Sequence, residues 1–189
     1  MTIYRIVNND RCFNQFCFDR DNFLDKVENV PETRKYMMFG FHNLSLKKLW
    51  GDYCGSFTPY EGEEINSIPD LQVWTGATLI MSPLAYNALS SLLLPYSECL
   101  PVTCGGQVFH LFNCLTSIDA DEEKSERVED NGFVASVSKL EFKPTDRLVF
   151  KTRYDNHSSL YCQDQVKQVI EREGLQGIQL QSNLTIEVF

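Results

Sequence analysis

Two glycines between two β-rich runs constrain the fold of this chain more than any other feature. The runs Cys99–Thr103 and Gln107–Ser117 flank Cys104-Gly105-Gly106, and glycines tolerate the positive φ angles that a tight hairpin turn needs. The sequence therefore predicts two neighbouring antiparallel strands. Such a pair argues against a regular βαβ array, in which each strand is followed by a helix.

Two amphipathic helices are predicted on either side of this hairpin. Ser82 provides a hydroxyl N-cap, and Pro83 takes the first helical position, where its missing N–H costs nothing. The apolar face of this helix is predicted to comprise Leu84, Ala88, Leu89 and Leu92, and Pro95 ends it. The second helix, residues 163–173, is predicted to bury Val166, Val169 and Ile170 and to be capped by Gly174.

Alternating apolar residues and intervening turns predict further strands at residues 3–8, 71–74, 78–81, 133–142, 147–151, 177–180 and 184–188. A strand is also predicted to begin at Tyr36–Phe41, a short helix at Asp21–Val27, and a long surface loop or inter-lobe seam at residues 51–69. This order predicts an α+β fold with a mixed, mainly antiparallel sheet and a few packed helices. We expect residues 1–68 to form an N-terminal elaboration or small lobe and residues 69–189 the core, or 1–189 to form one continuous domain.

The charge balance limits the possible partners. The chain has 17 Lys and Arg against 26 Asp and Glu, a formal net charge of −9. Nucleic acids and anionic membranes attract cationic patches, so neither is an expected partner. The acidity favours a basic partner or serves solubility alone.

Cysteine spacing and the N-terminal sequence indicate a cytoplasmic location. Seven cysteines are present without any CxxC pair, which fits free thiols in a reducing compartment better than a metal site. The N-terminus lacks the charged and apolar regions of a secretion signal, and polar residues interrupt the apolar stretch 77–94. We expect no metal and no cofactor.

One acidic segment accounts for more than half of the net charge. Residues 119–130 contain seven acidic and two basic side chains, a local charge of −5. Because the segment joins two predicted strands, we expect a solvent-exposed loop, which is either a solvated connection or a surface that docks a cationic site on a partner. The candidate partner-binding residues are Asp119, Asp121, Glu122, Glu123, Glu126, Glu129 and Asp130, together with Glu61, Glu63 and Glu64 in the N-terminal loop.

The chain contains no recognisable catalytic motif. Its three histidines are far apart in sequence, and no phosphate-binding, zinc-protease or nucleophile-elbow pattern occurs. We therefore expect no enzymatic activity. The alternatives are a small hydrolase or transferase that uses Cys104 or His110, and a regulatory or scaffold module that binds another protein.

Several short elements between residues 69 and 180 resemble a family of bacterial immunity proteins. They are Pro69-Asp70, Gly76, Leu79, Ser82 before the Leu-rich helix, Glu98-Cys99-Leu100-Pro101-Val102, Phe109-His110-Leu111-Phe112-Asn113, Asp119, Val149-Phe150 and Glu173-Gly174-Leu175-Gln176-Gly177. The family is the eleventh numbered among the immunity families of polymorphic-toxin systems and is typified by a myxobacterial protein. Tyr161-Cys162 departs from the family's commoner Val-Ser pair, and residues 1–68 have no counterpart.

The resemblance implies an intracellular antidote that binds and blocks a cognate toxin, often one delivered by a contact-dependent secretion system such as type VI. It implies neither catalysis nor a cofactor. It assigns no toxin-contacting residues, because the matching positions are mostly apolar, Gly or Pro. The acidic residues above are expected to contact the toxin, since toxins that act on nucleic acids or nucleotides tend to have cationic sites.

Overall fold

The computed structural model describes residues 2–9, 12–62, 67–130 and 133–187, and it has the predicted α+β fold with mostly antiparallel sheets. The strands are β1 (Ile3–Asn8), β2 (Gln15–Phe18), β3 (Tyr53–Thr58), β4 (Leu71–Val73), β5 (Thr78–Met81), β6 (Ser97–Cys104), β7 (Gln107–Cys114), β8 (Glu126–Asp130), β9 (Phe133–Lys139), β10 (Val149–Phe150), β11 (Leu160–Gln163), β12 (Ile178–Gln181) and β13 (Ile186–Glu187). The helices are α1 (Asp21–Val27), α2 (Thr33–Met37), α3 (Phe39–His42), α4 (Pro83–Leu93) and α5 (Asp164–Arg172), with short 3-10 turns at Leu94–Tyr96 and Arg153–Asp155.

The predicted hairpin is confirmed and lies in a six-stranded sheet of order β2-β3-β6-β7-β5-β4. β6 and β7 pair from Ser97 opposite Cys114 to Cys104 opposite Gln107. Gly105 and Gly106 have φ angles of 56° and 82° at the turn, so a residue with a Cβ would be strained at either position. The pairings within this sheet are antiparallel apart from β3 with β6, which is parallel.

A four-stranded antiparallel sheet, β10-β11-β1-β12, separates two hydrophobic cores. In β11, Leu160 and Cys162 face the core that contains α4 and α5, whereas Tyr161 between them faces the opposite core. The second core is shared with Val137 of the three-stranded sheet β13-β9-β8. Because successive side chains of β11 point to opposite faces of the sheet, this strand contributes to both hydrophobic cores.

The predicted caps of the two longer helices are confirmed. The Ser82 hydroxyl accepts a hydrogen bond from the Ala85 N–H at 3.2 Å, and Gly174 follows α5 with a φ angle of 64°. The predicted apolar face of α4 was partly wrong, because the buried stripe begins one residue later. Leu84 is 53% exposed, and the helix buries Ala85, Leu89 and Leu93.

The predicted strand at Tyr36–Phe41 was wrong, because the chain there forms α2 and α3. A short apolar run carries too little periodicity to distinguish a strand from a helix. Gly40 in α3 approaches the Thr75 carbonyl so closely that a Cβ would lie 3.0 Å from its oxygen. The helix ends at Asn43, which has the left-handed φ of 54°.

The predicted long loop at 51–69 was wrong for its first half, which forms β3. Tyr53 is buried while Cys54, Ser56 and Thr58 are exposed, an alternation obscured in the sequence by glycines. β1 lies between β11 and β12, and β2 and β3 complete one side of the six-stranded sheet. Strands from residues 1–68 are thus hydrogen-bonded to strands from the rest of the chain.

Candidate functional site

The acidic segment 119–130 forms a tight turn and an edge strand, so its prediction as a loop was wrong for the second half. Asp119 is exposed, Ala120 bridges to Phe142, and residues 122–124 turn into β8. All five residues of β8 are exposed, and β8 pairs only with β9 within the described part of the chain. This places Glu126, Glu129 and Asp130 on a strand edge that no other described strand covers, and Glu122 and Glu123 in the turn before it.

Asp121 is the exception among these acidic residues. It is 8% exposed, its N–H donates to the Glu141 carbonyl at 2.8 Å, and its carboxylate pairs with Lys124 at 3.3 Å. We therefore withdraw Asp121 from the candidate contact residues, because it anchors the turn from inside. The exposed acids of the segment are Asp119, Glu122, Glu123, Glu126, Glu129 and Asp130.

Both basic residues of the segment are already bound within the molecule. Lys124 pairs with Asp121, and Arg127 pairs with Glu129. Arg127 also stacks over the Tyr154 ring, 4.5 Å from its centroid, and donates to the Tyr154 carbonyl at 3.0 Å. Within the described residues, Glu122, Glu123, Glu126 and Asp130 make no ion pair, so the negative field at this edge is not neutralised locally.

The N-terminal acidic residues belong elsewhere in the fold. Glu61 is exposed in the turn after β3, which is part of the six-stranded sheet, whereas β8 belongs to the three-stranded sheet. Glu63 and Glu64 lie outside the described residues. Glu61 and β8 therefore do not belong to the same sheet.

Cys104 and His110, the residues of the enzymatic alternative, do not form one site. Cys104 faces the core that contains Leu100, Val102 and Phe109, whereas His110 stacks on Tyr86 of α4 on the other face of the sheet, with ring centroids 3.6 Å apart. Burial raises the pKa of Cys104 to about 11, which disfavours the nucleophilic thiolate. Burial also lowers the pKa of His110.

A cleft of about 860 Å³ lies between the α2–α3 segment and the three-stranded sheet. Its apolar wall is formed by Met38, Phe41, Val134, Val137 and Ile186. Polar groups of residues 42–43, 153 and 155–158 interrupt this wall. A large, mainly apolar cleft with a few convergent polar groups is typical of binding sites.

Side chains from the core hold the chain around α3, which forms one side of the cleft. Lys151 Nζ donates to the Gly40 carbonyl at 2.8 Å, His157 Nδ1 to the Phe41 carbonyl at 2.9 Å, and Asn113 Nδ2 to the Leu44 carbonyl at 2.9 Å. Glu98 accepts hydrogen bonds from the Ser45 hydroxyl and the Leu46 N–H, both at 2.6 Å. A four-residue helix has little stability of its own, so these bonds fix the position of α3. We call the side of the cleft that α3 forms the α3 wall.

The loop after β10 carries Lys151, Asp155 and His157, three side chains whose pKa values are shifted by burial. Lys151 is 0% exposed, and burial lowers its pKa to about 8, against the opposing effects of Cys114 and Asp155. Asp155 is 3% exposed, and burial raises its pKa to about 6 although the Tyr161 hydroxyl donates to it at 2.8 Å. Burial also lowers the pKa of His157, as do the charges of Lys151, Arg153 and His42. Clusters of this kind mark candidate functional sites.

Sequence reasoning missed the cleft and this loop. The strand predicted at Tyr36–Phe41 hid the α3 wall, and the sequence 151–158 contains no motif that points to chemistry. A lysine beside the apolar pair Val149-Phe150 was the one available signal, because a basic residue next to a buried strand must find a partner.

Two further features bear on the class of protein. Within the described residues, no group of three or more His, Cys, Asp or Glu side chains is placed to hold a metal ion. None of the helices that the structure describes is both long and apolar enough to cross a bilayer.

Comparisons with known proteins do not assign this chain to a family. No family model matches this chain, and no curated protein matches it. The resemblance to the immunity family therefore remains a proposal.

Proposed function

We propose that this chain is an immunity-type inhibitor, which acts in the cytoplasm and binds a cognate toxin with a cationic site. The observation that carries the proposal is β8, an edge strand whose five residues are all exposed and whose acids are largely without basic partners in the described structure. The exposed turn residues Glu122 and Glu123 extend the same charge.

An edge of this kind supplies two kinds of recognition. Its unpaired backbone N–H and C=O groups can accept a strand from a partner, and its carboxylates select a partner that is basic. Val128 is 57% exposed at the middle of β8 and offers an apolar contact between the acids. The same charges also prevent β8 from pairing with β8 of a second copy, which is how natural proteins protect exposed edges.

Charge reversal on β8 tests the proposal with the product of a neighbouring toxin gene as the partner. The test variant is Glu122→Lys, Glu126→Lys and Asp130→Lys, and the control reverses three exposed acids that make no ion pair in the described structure, Asp25, Glu28 and Asp52. The two variants change the net charge equally. We expect the β8 variant to associate at least about 10-fold more slowly at low salt and to lose most of its salt dependence, whereas the control keeps both.

Binding kinetics at several salt concentrations, together with survival of cells that co-express the toxin, measure the effect. Size-exclusion chromatography of each variant shows whether reversal has altered self-association instead. Equal association rates and equal salt dependence for the two variants would remove β8 from the interface. Cells that die from the toxin as readily with the wild-type chain as without it would refute the inhibitor function itself.

A further inference from the structure

Ser117 and His157 have the geometry of a nucleophile and its general base. Ser117 Oγ lies 2.8 Å from His157 Nε2, and His157 Nδ1 lies 2.9 Å from the Phe41 carbonyl oxygen. A carbonyl oxygen can only accept, so Nδ1 carries the proton of the neutral ring and Nε2 presents its lone pair to the serine. The serine hydroxyl therefore donates to Nε2, the arrangement that general-base activation requires.

Ser117 is exposed to solvent, and backbone hydrogen bonds to Lys151 hold the chain around it in place. It follows β7 and bridges in parallel to Lys151, with the Ile118 N–H donating to the Lys151 carbonyl at 2.8 Å and the Lys151 N–H donating to the Thr116 carbonyl at 3.0 Å. These bonds use the Ile118 N–H and the Thr116 carbonyl, which lie on either side of Ser117. The N–H of Ser117 itself donates no hydrogen bond within the described residues, and such an amide can stabilise an oxyanion formed at its own side chain.

His157 is buried, neutral and held in an uncommon backbone conformation. It is 7% exposed, and both Asn156 and His157 have a φ of 57°, which costs energy for residues other than glycine. Burial lowers its pKa, and the positive charges of Lys151, Arg153 and His42 lower it further. The ring is therefore unprotonated at neutral pH and ready to take a proton.

We propose that Ser117, activated by His157, accepts the acyl group of carboxylic esters whose apolar acyl chain lies in the adjoining cleft. The Ser117 oxygen forms a bond to the ester carbonyl carbon while the hydroxyl proton moves to His157 Nε2. The carbon–oxygen bond of the ester then breaks, and His157 returns the proton to the departing alkoxide. His157 is one of the residues that line the cleft, and Ser117 Oγ lies 2.8 Å from its Nε2, so an acyl chain bound against Phe41 and Val137 would lie near the reacting pair.

The proposed chemistry is acylation with slow release. A backbone carbonyl holds the histidine tautomer here, but it lacks the full charge of the carboxylate in a Ser-His-Asp triad. Loss of that carboxylate function lowers kcat about 10⁴-fold in serine proteases. We therefore expect one acyl group to be retained per chain. This reaction is independent of toxin binding through β8.

The test is covalent labelling of the full chain with an alkyl fluorophosphonate, followed by intact mass measurement and peptide mapping. In this reaction the Ser117 oxygen bonds to phosphorus, fluoride leaves and His157 takes the proton. We expect one adduct per chain, located at Ser117, and its absence in Ser117→Ala. Ser91→Ala serves as the matched control, because Ser91 is an exposed serine on α4 away from the cleft, and it should label like the wild type.

The pH dependence of labelling distinguishes activation by His157 from simple exposure of the serine. The rate should stay level through neutral pH and fall only below pH 6.5, the ordinary pKa of histidine. His157→Gln, which can make both hydrogen bonds through its amide, should fold yet lose at least about 100-fold in labelling rate. With p-nitrophenyl butyrate the wild type should release close to one equivalent of nitrophenol in a burst. No adduct, an adduct at another residue, or equal labelling of His157→Gln would overturn the proposal.

Discussion

Replacement of Lys151 by methionine tests the electrostatic account of the α3 wall. Lys151 is fully buried, and its ammonium group donates to the Gly40 carbonyl without forming an ion pair among the described residues. Methionine has a similar length and no charge, so Lys151→Met removes the charge while it leaves the apolar packing largely intact.

The magnitude follows from the pKa of Lys151, which burial lowers from 10.5 to about 8. A fall of this size means that burial of the charged form costs about 3 kcal/mol below pH 8. Methionine removes that cost but leaves the Gly40 carbonyl without its donor, a loss of about 1–3 kcal/mol. At pH 7 the variant should therefore be equal to the wild type or up to about 2 kcal/mol more stable.

The sign of the pH dependence separates this account from simple packing. Between pH 8 and 10.5 the folded protein releases the Lys151 proton before the unfolded chain does, so wild-type stability rises with pH in this window. From pH 7 to pH 9 the rise amounts to about 1 kcal/mol, and Lys151→Met should lack it. Comparison of the two proteins cancels most of the opposing effect of Cys99 and Cys104, whose pKa values burial raises to about 11.

Urea unfolding at pH 7, 8 and 9 measures both quantities. Lys151→Ala is the matched control, because it removes the same charge but leaves a cavity, and it should be about 2–5 kcal/mol less stable than the methionine variant. If wild type and Lys151→Met change stability in parallel between pH 7 and pH 9, Lys151 does not titrate in this range and the reasoning is wrong.

Two further predictions concern Asp155 and Gly177. Burial raises the pKa of Asp155 from 3.8 to about 6, so the folded protein binds the proton more tightly and wild-type stability should fall as pH rises from about 4 to about 6. Asp155→Asn, which keeps an acceptor for Tyr161, should remove most of this fall of up to about 3 kcal/mol in urea titrations. Gly177 has a φ of 111°, and a Cβ there would collide with the Leu71 carbonyl, so Gly177→Ala should cost at least about 2 kcal/mol in thermal unfolding. Gly62→Ala is its control, because Gly62 has a φ of 82° but no atom within 4 Å of the added Cβ, and it should cost only about 1 kcal/mol.

The parts of the fold that sequence predicts well are those with local physical signals. The Ser82-Pro83 start of α4, the Gly105-Gly106 turn and the Gly174 cap each depend on backbone chemistry within a few residues, and each is confirmed. The class of fold followed from their order. The pairing of β3 with β6 and the insertion of β1 between β11 and β12 could not be predicted, because contacts over such distances leave no periodic signal in one sequence.

Of the candidate site, only the negative charge could be predicted from the sequence. The acidic residues around Glu126 stand out in the sequence, and the structure exposes six of the seven, three of them on the edge strand β8. The burial of Asp121 was not foreseeable, because it depends on a hydrogen bond to Glu141, twenty residues away. The contact between Ser117 and His157 could not be predicted from the sequence either, because the two residues are forty positions apart.

The loop after β10 links stability, the cleft wall and the Ser117 site. Burial disfavours the ionised forms of Lys151 and Asp155, which natural sequences seldom place inside a fold without a partner charge. Lys151 and His157 act on consecutive carbonyls of α3, so the bonds that fix the cleft wall also fix the ring that faces Ser117. A change that loosens α3 should therefore misplace the base before it unfolds the sheets, because α3 depends on these side-chain bonds whereas the sheets have their own backbone ladders.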